Sequence, residues 1–140
     1  MKPHLLPTEK SQKEFYQHYH DKGPIVMLNM LKYRKVADYA NAPALDPGHE
    51  ISGQEAYQLY SAATLPLVHK AGGEVVYLGS SHHFLIGPEE EHWDAILLVR
   101  YPSAEKFIAF AGSEEYLKTA GHRTAALEDS RLLPTAPPTA

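Results

Sequence analysis

Cysteine is absent from the 140 residues, which excludes disulfides, thiolate zinc sites and cysteine nucleophiles. Basic charge is scarce too. Thirteen Lys and Arg stand against seventeen Asp and Glu, a net charge of −4 that argues against a nucleic-acid partner. No apolar run approaches the roughly 20 residues that span a bilayer. The opening MKPHLLPTEKSQ puts prolines and polar residues where a signal peptide carries its apolar stretch. A glycine-rich phosphate loop and a G-x-S-x-G elbow are both missing. Nine histidines are there, but without the spacing of a metal site. His82 and His83 are adjacent on an expected strand and should face apart, while His18 and His20 are two apart on an expected helix. These absences leave a soluble, cytoplasmic, one-domain protein with no metal, membrane or nucleic-acid role expected.

What is present falls into alternating elements. Thr8 caps an expected helix over 8–20 with Phe15, Tyr16 and Tyr19 at helical spacing, and Gly23-Pro24 end it. Residues 1–23 therefore read as an N-terminal helical arm. Ile25–Tyr33 (IVMLNMLKY) is apolar without alternation, the pattern of a strand buried on both faces. Residues 34–51 show no period and read as a long loop, a candidate cover for a site or contact for a partner. Ser52 and Glu55 form an S-x-x-E capping box for a helix reaching Ala71. Its expected apolar stripe is Ala56, Leu59, Tyr60, Ala63 and Leu67, with a kink at Pro66. Strands over 74–86 and 92–101 make a hairpin, the second strand again continuously apolar. Ser103 caps a short helix and Ser113 a further one interrupted near Gly121, and a strand over 130–134 closes the domain. The tail 136–140 is expected to be disordered.

Without arm and tail the order is β-α-β-β-α-β. This is the α+β, ferredoxin-like arrangement with a four-stranded antiparallel sheet over residues 24–135. Its first and third strands are central, and these are the two continuously apolar ones. Helices cover one face of such a sheet. The economical cover for the other is a second copy of the chain, sheet against sheet, in a two-fold homodimer.

Through PIVMLNMLKYR, SGQEAYQLYSAATLPLVHKAGGEVVYLG, HWDAILLVRYPSAEKFIAF and SEEYLKTAGHRTAALEDSRLLPT, the chain resembles the domain of unknown function 1330 family of the dimeric α/β-barrel superfamily. The likeness runs from about Pro24 to Thr135. It implies a ferredoxin-like domain paired into a dimeric α/β barrel, and it brings no assigned reaction. Relatives in the superfamily include antibiotic-biosynthesis monooxygenases, lactone isomerases and haem-degrading enzymes, so fold alone decides no activity. The haem-degrading relatives use an asparagine on the first strand, a tryptophan on the third and a histidine on the next helix. Asn29 and Trp93 fall in matching elements, but the helix at 103–112 has no histidine.

Individual residues suggest chemistry. Asn29 is a lone amide in an apolar strand and needs hydrogen-bond partners, either protein groups or a ligand. His122 suits proton transfer near neutral pH. Arg123 beside it suits a two-pronged grip on an anion, unless it pairs with Glu128 or Asp129. His122 and Asn29 are the catalytic candidates. Tyr60 on the helical stripe and Tyr57 at its margin could line a ligand cleft. Trp93 shares one face of the third strand with Tyr101, and Arg100 shares the other with Asp94, where a charge needs an anion. Tyr57, Tyr60, Arg100, Arg123 and Trp93 are the ligand-binding candidates.

Three functions fit. The leading one is a small-molecule-binding homodimer with a sheet–helix cleft, extending to a cofactor-independent enzyme acting on a carbonyl or carboxylate compound. The second is a structural or stress-associated dimer without turnover. The third, by superfamily analogy, is an oxygenase or haem-linked monooxygenase.

Overall fold

The computed structural model describes residues 2–138. Helix α1 (Glu9–Tyr19) starts with a reciprocal cap in which Thr8 and Ser11 each accept the other's backbone N–H. It buries no residue fully and docks through Phe15 and Tyr19. Phe15 meets Phe107 edge-on at 5.7 Å, and the Tyr19 hydroxyl donates to the Pro134 carbonyl. Strand β1 (Ile25–Tyr33) follows. The segment 34–51 holds a short 3-10 turn at Pro43–Leu45 and is fixed to the domain. The Arg34 and Asp38 N–H groups donate to the carbonyls of Ala126 and Ala125 at 2.8 and 2.9 Å.

Helix α2 (Gly53–Lys70) opens with the Ser52–Glu55 capping box, both bonds at 3.0 Å. The helix continues through Pro66 without ending. Its ring lies on the exposed side, between the buried Thr64 and Val68, whose packing holds the turn. The buried face is Gly53, Ala56, Tyr57, Thr64 and Val68, rotated from the expected stripe so that Leu59 and Ala63 point outward. Thr64 accounts for the rotation: its hydroxyl meets that of Thr119 at 3.0 Å, which satisfies a polar side chain inside the core.

The remaining elements are β2 (Glu74–Ser80), β3 (Ala95–Tyr101), α3 (Ala104–Ala111), α4 (Glu114–Ala126) and β4 (Leu127–Thr135). β2 and β3 are shorter than expected, because the stretch between them leaves the ladder apart from one bridge between His83 and His92. His82 and His83 therefore escape strand alternation, and their Nδ1 atoms lie 2.6 Å apart instead of facing opposite ways. α4 runs unbroken through Gly121, and β4 starts three residues earlier than expected. A Cβ at position 121 would meet the Ala42 and Leu45 side chains at 2.7 and 2.8 Å. That glycine is a seat for the 34–51 segment, not a helix stop. Residues 136–138 of the expected disordered tail carry no helix or strand, and 139–140 lie outside the described residues.

The strands form one antiparallel sheet in the order β2-β3-β1-β4, with the first and third strands central as expected. The sheet is open, so one chain by itself forms no barrel. On the helix side, Ile25, Met27 and Leu31 are at most 2% exposed. The core there divides in two. Leu31 packs with Tyr39, Tyr57 and Ala125–Leu127, whereas Ile25 and Met27 pack with Val68, Val99, Tyr101 and Phe110. Asn29 sits on β1 between them. On the opposite face, register aligns Tyr77, Leu98, Leu28 and Leu133 in one row across all four strands. Tyr77 and Leu133 are 55% and 56% exposed.

The end of β1, the start of α2 and the end of α4 meet at Gly53. Its N–H donates to the Arg34 carbonyl, and an added Cβ would collide with the Arg34 and Ala126 main chain. Gly53→Ala is therefore expected to lower the urea-unfolding free energy by about 2–4 kcal/mol, since backbone cannot yield as a side chain does. Gly112→Ala, where a methyl meets only the Ile108 carbonyl at 3.4 Å, should change it by less than about 0.5 kcal/mol.

Candidate functional site

Asn29 lies in the gap between the two core clusters, on the helix side of the sheet. Its amide nitrogen donates to the carbonyls of Met27 and Leu97 at 3.3 and 3.2 Å. Its side-chain oxygen has no hydrogen-bond partner among the described residues.

From the same side, α2 contributes Tyr57 and Tyr60, and α4 contributes Tyr116 and Arg123. The hydroxyls of Tyr60 and Tyr116 are 2.8 Å apart, and the Tyr57 ring lies 5.2 Å from that of Tyr60 and 5.8 Å from that of Tyr33. Burial pushes the Tyr57, Tyr60 and Tyr101 phenols far above the ordinary range. The Arg123 guanidinium is close enough to pull Tyr57 and Tyr60 partly back down. The Tyr57 hydroxyl has no hydrogen-bond partner among the described residues. Helical spacing explains the grouping on α4: Tyr116, Thr119 and Arg123 recur at three and four residues and share the face toward α2.

Arg123 does not pair with Glu128 or Asp129. Those carboxylates are taken by Lys32 at 3.3 Å and by Arg131 at 2.6 Å. Arg123 instead donates from Nη1 to the Leu5 carbonyl at 2.9 Å and from Nη2 to the Ser130 hydroxyl at 3.3 Å.

His122, one residue away, turns toward the 34–51 segment. Its Nδ1 lies 2.8 Å from the Tyr39 hydroxyl, with the rings edge-on at 5.6 Å. Burial holds the imidazole below the usual histidine range, while burial and then Asp46 push the Tyr39 phenol up. The phenol therefore keeps its proton and the imidazole is neutral, with the hydrogen bond between Tyr39 Oη and Nδ1 directed by the imidazole tautomer. Tyr39 escaped the sequence reading because it lies 83 residues from its partner in an aperiodic segment. Tyr116 could have been found from its spacing to Arg123.

Arg100 and Trp93 stand apart from this group. Arg100 points from the other face of the sheet, where Glu74 supplies its anion at 3.8 Å. Trp93 precedes β3, so strand alternation does not reach it and it shares no face with Tyr101. It belongs to neither core cluster, its buried Nε1 has no partner, and Arg131 stacks on its ring at 5.1 Å. Arg131 stands opposite Met30 on the face away from Asn29. Asn29 on the helix face and Trp93 beneath Arg131 share no hydrogen bond or ring contact among the described residues.

Two openings adjoin these side chains. A cavity of about 370 Å³ is lined by Tyr33, Arg34, Ser52, Gln54 and Asp94, and it reaches the tyrosine group through Tyr33. A second of about 370 Å³ lies within the 36–51 segment, where Tyr39, Asp46, His49 and Glu50 face it. Both are open surface depressions, and neither is lined by Asn29, Tyr57, Tyr60, Tyr116 or Arg123. Among the described residues, no three His, Asp or Glu are arranged to hold a metal ion, and no helix is long and apolar enough to cross a membrane.

Comparison with known proteins gives a family without a reaction. The model for a domain of unknown function, DUF1330, matches residues 48–134, which hold the tyrosines of α2 and α4 together with Arg123. The crystal structure of the methylated RPA0582 protein is similar at 36% identity and a TM-score of 0.87, over 99% of this chain and 98% of that one. A second structure, of the RPA0582 protein of unknown function from Rhodopseudomonas palustris, matches at 34% identity and 0.86, over 99% and 100%. A dimeric ferredoxin-like protein of unknown function from Thermobifida fusca covers 84% of this chain and 94% of its own. At 11% identity and a TM-score of 0.48 it is too distant to carry an argument about assembly. No curated protein matches. With more than half its length under the family model and a relative alike from end to end at 36% identity, the chain belongs to the DUF1330 family.

Proposed function

We propose that the protein is a homodimer that binds a small carbonyl or carboxylate compound between the sheet and helices α2 and α4 of each protomer. One observation carries this reading. Arg123 is a half-buried cation beside the phenols of Tyr57 and Tyr60, with no acidic partner among the described residues. A buried charge left without an opposite charge is costly, and a ligand anion or polarised carbonyl relieves it. The Tyr57 hydroxyl and the Asn29 side-chain oxygen are further unpaired groups on that side of the sheet. Turnover on this reading needs no cofactor. Arg123 polarises the substrate oxygen, and the Tyr39–His122 pair, which faces the 34–51 segment, is the proton-handling group next to it in sequence; the Asn29 N–H groups are spent on the Met27 and Leu97 carbonyls. A dimer without turnover is the second reading, favoured because the Asn29 amide and the Tyr60–Tyr116 pair already satisfy themselves inside the protein.

Support for the dimer comes from the apolar row through Tyr77, Leu98, Leu28 and Leu133. Nearby, the β2–β3 connection holds Leu85 and Ile86 at 100% and 92% exposed. Contiguous apolar surface of this kind marks an association site.

Three outcomes are expected. In a thermal-shift screen of small ketones and carboxylates, at least one compound should raise the melting temperature at millimolar concentration. Tyr57→Phe, which removes an unpaired hydroxyl, should leave the ligand-free melting temperature within about 2 °C of the parent and weaken the ligand-induced shift. Tyr60→Phe should cost about 1 kcal/mol of stability by breaking the bond to Tyr116. A screen without hits, or shifts untouched by Tyr57→Phe and Arg123→Gln, would sink the cleft as a site.

For assembly, the parent chain should sediment as a dimer at micromolar concentration and Leu133→Glu as a folded monomer. A monomeric parent removes the dimer from the reading.

The pH dependence follows from His122. Its folded pKa is lowered by burial, so the unfolded chain binds more protons in the window beneath the free-histidine value of about 6.5. Stability is therefore full above that value and falls as pH drops through the window. The loss of melting temperature between pH 7.5 and 5.5 should be smaller in His122→Gln than in the parent.

A further inference from the structure

Residues 3–7 run past Arg123 and Ser130 before α1 begins, and hydrogen bonds of their main chain hold them there. The Leu5 carbonyl accepts from Arg123 Nη1 at 2.9 Å, the His4 carbonyl accepts from the Ser130 hydroxyl, and the His4 N–H donates to Asp129 Oδ1 at 2.8 Å. The Ser130 hydroxyl also receives Arg123 Nη2 at 3.3 Å. One side chain of the stretch is anchored: Leu5 packs against the first core cluster, while Leu6 is 75% exposed and Pro3, His4 and Pro7 are exposed as well. Arg123 thus meets two neutral oxygens, one from a main-chain carbonyl in an otherwise exposed segment.

We propose that the Arg123 guanidinium is an anion subsite closed by this strap, with the Leu5 carbonyl holding the place that a ligand carboxylate takes when the strap lifts. The proposal rests on reading the cleft as a small-molecule site, and it adds the ligand's charged group and the device that controls access to it. A carboxylate offers Arg123 two charged oxygens in a fork geometry, and such bonds are roughly twice as strong as those to a neutral carbonyl. The strap offsets that disadvantage by being tethered, which gives its carbonyl a high effective concentration. The two therefore compete for one guanidinium. The Tyr57 hydroxyl, next to Arg123 and unpaired, donates a further hydrogen bond to the incoming anion. Release of His4 removes one bond from the Ser130 hydroxyl and one from Asp129 together, while Asp129 stays held by the Ser130 N–H and Arg131.

Benzoate is a suitable probe, because it joins a carboxylate to a ring that fits an aromatic-lined cleft. Its binding is measured calorimetrically with the full chain, with a chain lacking residues 2–7, and with Arg123→Gln in both. Amide exchange at His4 is followed in the full chain. The truncated chain should bind benzoate at least about tenfold more tightly, since a site occupied by its own strap loses affinity in proportion to the closed fraction. Saturating benzoate should accelerate exchange at His4 in the full chain, and Arg123→Gln should abolish binding in both. If truncation disturbs folding, Ser130→Ala in the full chain loosens the strap at the His4 carbonyl and should tighten benzoate binding in the same direction. Equal, Arg123-dependent binding by both chains with unchanged His4 exchange overturns the strap while leaving the cleft as a ligand site. No binding to the truncated chain overturns the anion subsite, whatever ketones or other compounds the cleft takes.

Discussion

The contact on which the functional geometry depends is the crossing of three backbones at Gly53. There the end of β1, the first turn of α2 and the last turn of α4 approach too closely for any side chain. Two main-chain bonds lock the crossing, Gly53 N–H to the Arg34 carbonyl and Arg34 N–H to the Ala126 carbonyl. Tyr57 lies one turn beyond Gly53, and Arg123 lies one turn before Ala126. Fixing the helix ends on the strand therefore fixes the distance between a phenol and a guanidinium that belong to different halves of the chain. The hydroxyl pairs Tyr60–Tyr116 and Thr64–Thr119 continue the same α2–α4 seam. They align the two helices along their length, so the α2–α4 seam is set by packing and hydrogen bonding more than by any ion pair.

The charges of the protein divide accordingly. Acids and bases of exposed and half-buried side chains satisfy one another: Lys32 with Glu128, Arg100 with Glu74, and Arg131 with Asp129. Such pairs at the surface add little stability. Asp129 is the most constrained of them. Burial by itself would raise its carboxyl, but the N–H groups of His4 and Ser130 together with the Arg131 guanidinium outweigh that and hold it below the usual range. Arg123 differs from these pairs: it is half-buried, and its hydrogen-bond partners, the Leu5 carbonyl and the Ser130 hydroxyl, are uncharged.

Much of the scaffold was legible in the sequence because its signals are local. Continuous apolarity marked β1 and β3, the spacing of Ser52 and Glu55 marked the start of α2, and Ser103 and Ser113 marked the next two helices. Together these were enough for the strand order. Legibility ended wherever a residue answers to a distant one. Gly121 resembles a helix stop until Ala42 and Leu45 are seen resting on it. Thr64 resembles a surface residue until Thr119 accounts for its hydroxyl. Trp93 was assigned a face by an alternation that begins only two residues later. The candidate site was legible in its residue types but not in its grouping. Arg123 and the tyrosines belong together, His122 belongs with Tyr39, and Arg100 and Trp93 lie elsewhere.

The bonding of β1 also bears on how the chain reaches its native state. This early strand is central, yet its neighbours come late: Ile25 is matched with Tyr101, and the Val26 carbonyl is bonded by Thr135, 109 positions further on. Loop-closure entropy makes such distant pairings slow, and synthesis from the amino end delays them further. A nascent chain must hold IVMLNMLKY unpaired until β3 has emerged some seventy positions later, and one edge of it open until β4 follows. His4 and Leu5 can dock only after α4 and β4, more than a hundred positions further on, exist to receive them. A segment made before its partners is thus among the last to settle.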